Sequence, residues 1–310
     1  MRNGRNSNAC VQKKQPKDAC AIRTALEPLA FLSPLLIGLI VFTVYPFLNV
    51  FLISFKENYK ISGAFSSFGL QNYQDVIRDP NFLNGLKNTG LYVLFVVPIA
   101  TVLSLLIADA LNKDIKLKGL FQTCYFLPMV TSITAIGLVW KWLFNNDYGL
   151  INYLISLFGI SPVNWLNDPK YNLAALIIYG VWSMLPLTII LLLAGLQNVN
   201  PQYYVVARAD GAKSGRIFFR ITLPLLAPTI GLTSIINMIY ASKVFTELFP
   251  LFNGKPGSAY SLYTVVYYLY DAFYVQWKLG RAAASAVILF FIVLILTLLQ
   301  LRIQRKWKNY

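Results

Sequence analysis

The sequence predicts an all-α, polytopic membrane protein with six transmembrane helices, and three observations lead there. Hydrophobic residues make up 57% of the 310 residues and charged ones only 13%, against about a quarter charged in soluble domains. The apolar residues gather in uncharged runs, and a helix needs about 20 such residues to cross the hydrocarbon core. The basic residues then alternate in density from one intervening segment to the next. Without water in the bilayer core the backbone must satisfy itself, which a helix does within its own segment.

Taken in order, residues 1–27 have the composition of a disordered basic tail, rich in Asn, Lys, Gln and Arg. They are too long and polar to be the leader of a cleaved signal peptide. Spans follow near 28–55, 88–111, 119–143, 172–196, 224–247 and 282–302, and residues 306–310 close the chain as a second short tail. A seventh uncharged run, Tyr148–Asn167, holds Gly149, Gly159, Pro162 and three asparagines. It reads as a short helix at the surface followed by a turn. The aromatic stretch between the last two spans, "PGSAYSLYTVVYYLYDAFYVQW", suits a water–lipid boundary or a surface meeting a partner or a sugar.

Charge fixes the expected orientation. With both termini cytoplasmic, 17 of the 27 Lys and Arg fall in 59 inside residues and ten in 101 outside residues. This is the positive-inside pattern, and counting the seventh run as a span would reverse it for the later loops. The net charge of +15 is therefore largely a topology signal, and no continuous basic face is present to track a nucleic acid.

Composition also removes chemistries. The sequence has no histidine, which excludes His-ligated metal hydrolysis and Ser–His or Cys–His nucleophiles. The twelve acidic residues form no paired cluster. The sequence lacks a Walker A motif, its one Gly-Lys pair, Gly254-Lys255, being followed by Pro256. Cys10, Cys20 and Cys124 have no metal-binding spacing. Lys243 and Glu247 stand four apart, as neighbours on one face of a fifth helix, and their distance from Pro224 puts them near its outer end.

Between the fourth and fifth spans lies "NVNPQYYVVARADGAKSGRIFFRITLPLLAP". It parses as two short helices. Asn200 caps the first, Pro201 opens it and Gln202–Ala209 continue it. Gly211 ends it. The second runs through Phe219, and Pro224 opens the next span. Tyr203, Tyr204, Val205, Val206, Ile217, Phe218 and Phe219 form an apolar knob rimmed by Arg208, Lys213, Arg216 and Arg220. Such a knob docks a soluble partner or lies on an anionic lipid surface.

This segment resembles the EAA loop of permease subunits of binding-protein-dependent ABC importers. Gly211, nine residues, then Ile221, Thr222, Leu223 and Pro224 match its G-x9-I-x-L-P core, and Asp210-Gly211-Ala212 its D-G-A. The Glu and first Ala of "EAA" fall on Val205 and Val206, and only Ala207 matches. The flanking stretches "FGLQNYQDVIRDPNFLNGLKNT", "FLPMVTSITAIGLVWKWLFNNDYGLIN" and "GRAAASAVILF" resemble the carbohydrate-uptake branch, similar to maltose and glycerol-3-phosphate permeases.

The resemblance implies a multi-pass subunit of a prokaryotic cytoplasmic membrane. It pairs with a homologous second permease, two cytosolic ATPases and an extracellular or periplasmic solute-binding protein. This chain binds no cofactor, and ATP and Mg sit on the ATPase. The implied docking residues are Tyr204, Val205, Ala207, Arg208, Asp210, Gly211, Ala212, Phe218, Ile221, Leu223 and Pro224. Carried onto the spans flanking the loop, it places Ser183, Asn237 and Tyr240 on a sugar pathway, and Trp182 joins them for its aromatic face. Interhelical packing is the competing role for each. A permease for another small solute, such as a polyol or glycerol phosphate, is the nearest alternative. An ion-coupled secondary transporter is the alternative of another class, without the internal repeat and embedded carboxylate it would want.

Overall fold

The computed structural model describes residues 31–113, Lys116 and 118–307, excepting the side chains of Lys118 and of 305–307. The tail at 1–27, with Cys10 and Cys20, and most of that at 306–310 lie outside the described residues. The chain separates into two units, residues 1–52 and 53–310, described here in turn. Among the described residues five helices are long and apolar enough to cross a membrane, or six if one bent pair counts as a single span.

Helix α1, Phe31–Ser54, accounts for the described part of the first unit. A π-helical turn at Ile40–Val44 widens it just before Pro46, with Tyr45 N bonding to Ile40 O. Proline offers no N–H and crowds the carbonyl four residues back, and a wider turn relieves both.

The second unit begins with a loop closed by an isolated bridge between Lys56 and Phe68 and the short helix α2, Gln71–Arg78. Asn72 ties these together, its amide donating to the Ser54 and Lys56 carbonyls at 3.0 Å each. Helix α3, Pro80–Asn112, starts eight residues earlier than the expected span. Asp79 caps it by accepting from Asn81 N, and Pro80 fills the first turn where no N–H is needed. The same device starts α7, Pro169–Gln197, where Asp168 accepts from Lys170 N ahead of Pro169.

The expected straight third span is instead two helices, α4 (Lys118–Val130) and α5 (Ile133–Leu143), bent by 108° at Thr131–Ser132. Pro128 weakens the end of α4, and Ser132 takes extended backbone, ψ 131°, to restart the chain as α5. After it, α6 (Leu150–Ser156) is the short surface helix. Asn152 anchors it. This side chain is buried, donates to the carbonyls of Asn145, Asn146 and Val163, and accepts from Val163 N and Trp165 Nε1.

Helices α3 and α7 pair along the middle of the unit. Tyr92 sets its hydroxyl end against Gly180, leaving no room for a Cβ, and a residue larger than glycine would have to displace this buried side chain. One apolar cluster surrounds this contact, with Val96, Leu176, Tyr179 and Leu248. A second lies toward the far ends of the same helices, with Leu105, Ala108, Ile189, Leu192 and Leu226.

Helix α8, Gln202–Ala209, is followed by α9, Ser214–Ala241. The short helix expected to end at Phe219 is not separate: it runs through a π turn at Phe218–Thr222 into the span. As in α1, the wide turn stands just before a proline, here Pro224. Helix α9 also stops six residues short of Glu247, so Lys243 and Glu247 do not share a helix face. Glu247 accepts from Phe245 N and Thr246 Oγ1 instead.

The aromatic stretch folds back over the α3–α7 pair with Tyr263, Tyr267 and Tyr268 buried, while Tyr260, Tyr274 and Trp277 stay exposed. It follows α10 (Leu248–Phe252), contains α11 (Val265–Tyr270), and leads into α12, Leu279–Trp307. Its backbone groups are met by side chains of α3: Asn88 donates to the Ser261 and Tyr263 carbonyls, and Thr89 Oγ1 accepts from Val265 N. Tyr268 donates to Asp79 at 2.9 Å, and Arg281 pairs with Asp75 of α2.

Candidate functional site

The elbow between α7 and α9 is built from three local rules. Asn200 Oδ1 accepts from Gln202 N at 2.9 Å, satisfying a free donor at the start of α8. Gly211, at φ +75°, then turns the chain left-handed. Ala212 N bonds to Ala207 O at 2.9 Å and Gly211 N to Arg208 O at 3.0 Å, the paired closure of a Schellman motif. The next residues enter α9 without a break.

This geometry sorts the predicted docking residues into two sets. Tyr203, Val205, Val206 and Phe219 are exposed, the last at 67%. Arg208, Asp210, Gly211, Lys213, Arg216, Arg220 and Pro224 are exposed with them. The others point inward. Ala207 and Ile217 are buried, and Tyr204, Ala212, Ile221, Phe218 and Leu223 are half-buried. Phe218 and Leu223 pack on the second apolar cluster, and Tyr204 OH lies 3.5 Å from Thr222 Oγ1. The knob is thus smaller than the sequence suggests: it has four apolar side chains among exposed cations, and the inward set holds it to the bundle.

The four pathway residues are not brought together as one lining. Asn237 is buried and bonded to Thr188 of α7, with both groups donating and accepting at 2.9 and 3.1 Å. Three residues on, Tyr240 is exposed, so the expected shared face is not used in common. Ser183 is exposed, and Trp182 leans edge-on against Trp140, 5.4 Å between ring centres. Among the described residues no group of His, Cys, Asp and Glu could hold a metal ion.

At the opposite end of the bundle, burial pushes the Tyr263 hydroxyl up to about 12, with the nearby Asp271 carboxylate adding to it. Tyr268 is pushed up too, by burial and by its hydrogen bond to Asp79. Both are neutral donors in ordinary buffers and act as structural pins. Sequence reasoning missed the organising role of Asn88, Asn152 and Thr188. The stretches holding Asn88 and Asn152 stood out in the sequence, but nothing in it showed which buried carbonyls those amides would meet.

Known proteins share this arrangement. The family described as "binding-protein-dependent transport system inner membrane component" matches residues 100–309. Among curated relatives, the arabinooligosaccharides transport system permease protein AraP of Bacillus subtilis is 31% identical over 285 residues, 91% of this chain and 90% of the relative. The trehalose/maltose transport system permease protein MalF of Thermococcus litoralis is 32% identical over 272 residues, 88% and 91% of the two chains. The lactose transport system permease protein LacF of Rhizobium radiobacter is 31% identical over 282 residues, 90% and 94%. In fold, the chain superposes with a TM-score of 0.78 on a chain of a bacterial ABC transporter that imports the acidic polysaccharide alginate, at 23% identity, over 94% of this chain and 99% of that one. Family match and coverage agree with the helices and the elbow: the chain belongs to the inner membrane components of binding-protein-dependent transport systems, the permease subunits of ABC importers.

Proposed function

We propose that this permease subunit forms half of the transmembrane pathway of an importer for a sugar or oligosaccharide, and that its elbow docks on a cytosolic ATPase. In this reading a homologous permease supplies the other half. Two ATPases carry ATP and Mg, and the chain itself hydrolyses nothing. A solute-binding protein delivers cargo on the outer side, and both termini are cytoplasmic. The cargo class follows the relatives, whose names specify arabinooligosaccharides, trehalose/maltose and lactose.

The observation that carries the coupling is the elbow. Four exposed apolar side chains and four exposed cations, Arg208, Lys213, Arg216 and Arg220, share the junction of one short helix and one 28-residue helix. Apolar centre and charged rim are the anatomy of a protein interface. Val205 stands where the family loop has Glu, so burial of the knob replaces an acidic contact in this docking.

The test is co-purification in mild detergent of tagged chain, candidate partner permease and candidate ATPase. We expect the ATPase to be retained and Gly211→Pro to release it, because proline cannot adopt the positive φ found there. An ATPase equally retained by the variant, or never retained while the permease pair stays intact, would overturn the coupling role.

A further inference from the structure

Two clefts open at the end of the bundle opposite the elbow, and they share a wall. The first, about 370 Å³, is lined by Lys141, Asn145, Asn164, Asn167, Asn253 and Lys255, among others. The second, about 530 Å³, runs beside α5 to its first turn, where the bent pair breaks. Ile133, Thr134 and Leu138 line one side of it, Phe245 and Phe249 the other. Asn253 borders both clefts. There Lys141 Nζ donates to Asn253 Oδ1 at 2.6 Å, and Asn253 holds a left-handed backbone, φ 57°. Asn253, held by Lys141, therefore stands where a polar and an aromatic cleft meet.

The two chambers complement the two aspects of one kind of molecule. A sugar ring shows hydroxyls at its rim and C–H bonds on its faces. Carboxamides both donate to and accept from hydroxyls, and a lysine bonded once keeps two further N–H groups. Phe245 and Phe249 meet edge-to-face at 5.1 Å, and Tyr270 backs them at 5.1 and 6.0 Å. This fixes an aromatic wall of the kind that takes an apolar face. An acyl chain would leave the polar chamber unpaired, and a simple anion would meet Asp147 beside the lysines. Both volumes fall within the roughly 300–1,000 Å³ of small-molecule sites.

We infer that the two clefts form one oligosaccharide site, separate from Trp182, Ser183, Asn237 and Tyr240. One ring occupies the polar chamber, the next lies on the Phe245–Phe249 wall, and the Lys141–Asn253 bridge meets hydroxyls between them. The inference rests on the sugar reading above, and the experiment keeps the two apart.

Radiolabelled maltotriose and arabinotriose are titrated onto the purified permease–ATPase complex without binding protein, and uptake of both is followed in proteoliposomes with it. Asn253→Gly keeps the left-handed backbone and removes the bridge; Phe249→Ala removes the wall. We expect each to weaken binding of the transported trisaccharide about tenfold or more. Lys278→Met, an exposed cation outside both clefts, leaves binding as it was. If Phe249→Ala fails to fold, Asn253→Gly, which trims one exposed side chain, decides alone. A trisaccharide that is transported but binds both variants like the wild type removes the site and leaves the sugar reading standing. No uptake of any saccharide by the wild type removes both. Variants that lose affinity for sugar-free binding protein while keeping the sugar mark the clefts as a protein-docking surface, which also overturns the site.

Discussion

At one end of the bundle Tyr263, Tyr267 and Tyr268 are buried, and their segment is bonded to α3 and its cap at four backbone or hydroxyl positions through Asn88, Thr89 and Asp79. At the other end Tyr203, Val205, Val206 and Phe219 stand exposed. Both segments are aromatic and apolar, and composition alone would treat them alike. They differ in who covers them. Residues 262–268 are covered by their own chain, so Tyr263, Tyr267 and Tyr268 contribute to folding. The elbow anchors itself with Tyr204, Ile217 and Phe218 and leaves the remainder free. A surface kept apolar after its own anchoring needs are met suits the docking role proposed above.

The sharpest attempt to break this contrast is Asn88→Leu. It leaves the Tyr263 carbonyl without its side-chain donor and the Ser261 carbonyl with only Asn84 Nδ2 at 3.5 Å, at about 1–3 kcal/mol for the buried acceptor. We expect a lowered Tm in detergent and early proteolysis near residues 254–264. Protection equal to the wild type would mean that the segment is not sealed by these bonds. Next in size, Phe219→Ser should weaken ATPase association by about 1.5–3 kcal/mol, while the Tm of the isolated permease stays put. A matching fall in Tm would make Phe219 a packing residue and erase the difference between the two ends.

Smaller again, Tyr268→Phe removes one hydrogen bond to Asp79 and should cost about 1 kcal/mol, read by chemical denaturation. The smallest effect is confined to alkaline buffer. The Tyr263 pKa is raised to about 12 when folded, against about 10 when unfolded. The unfolded chain therefore loses this proton first. The contribution is complete below pH 10 and disappears as pH rises from about 10 to 12. Tyr263→Phe should flatten that limb of the stability curve and leave neutral pH nearly unchanged.

Much of the fold was legible because its signals are local. Asp79-Pro80 and Asp168-Pro169 carry a cap and a first-turn proline in adjacent letters, although a scan for uncharged runs passes over them and starts these spans at 88 and 172. The ends of α8 follow from Asn200 and Gly211 in the same way. Hydropathy recorded the 119–143 run as one span because it counts apolar residues and is blind to direction. The 108° bend depends on how Ser132 leaves the helix. The pathway residues were the least legible. Asn237 has the chemistry for a hydroxyl ligand, yet its amide faces Thr188 across a helix pair, and only packing distinguishes these fates.

The continuity of α9 through its π turn has a mechanical consequence. Its 28 residues make a rod about 42 Å long at ~1.5 Å per residue, with the elbow at one end and Ala241 near the clefts at the other. A tilt of about ten degrees about one end would carry the far end through about 7 Å on that length. With no break between Phe219 and the span, in the docking reading a small rocking of whatever grips Phe219 would be delivered as leverage rather than lost as bending. The π turn then becomes the place to cut the transmission: a shaft slackened there would let the motor idle while the load stays still.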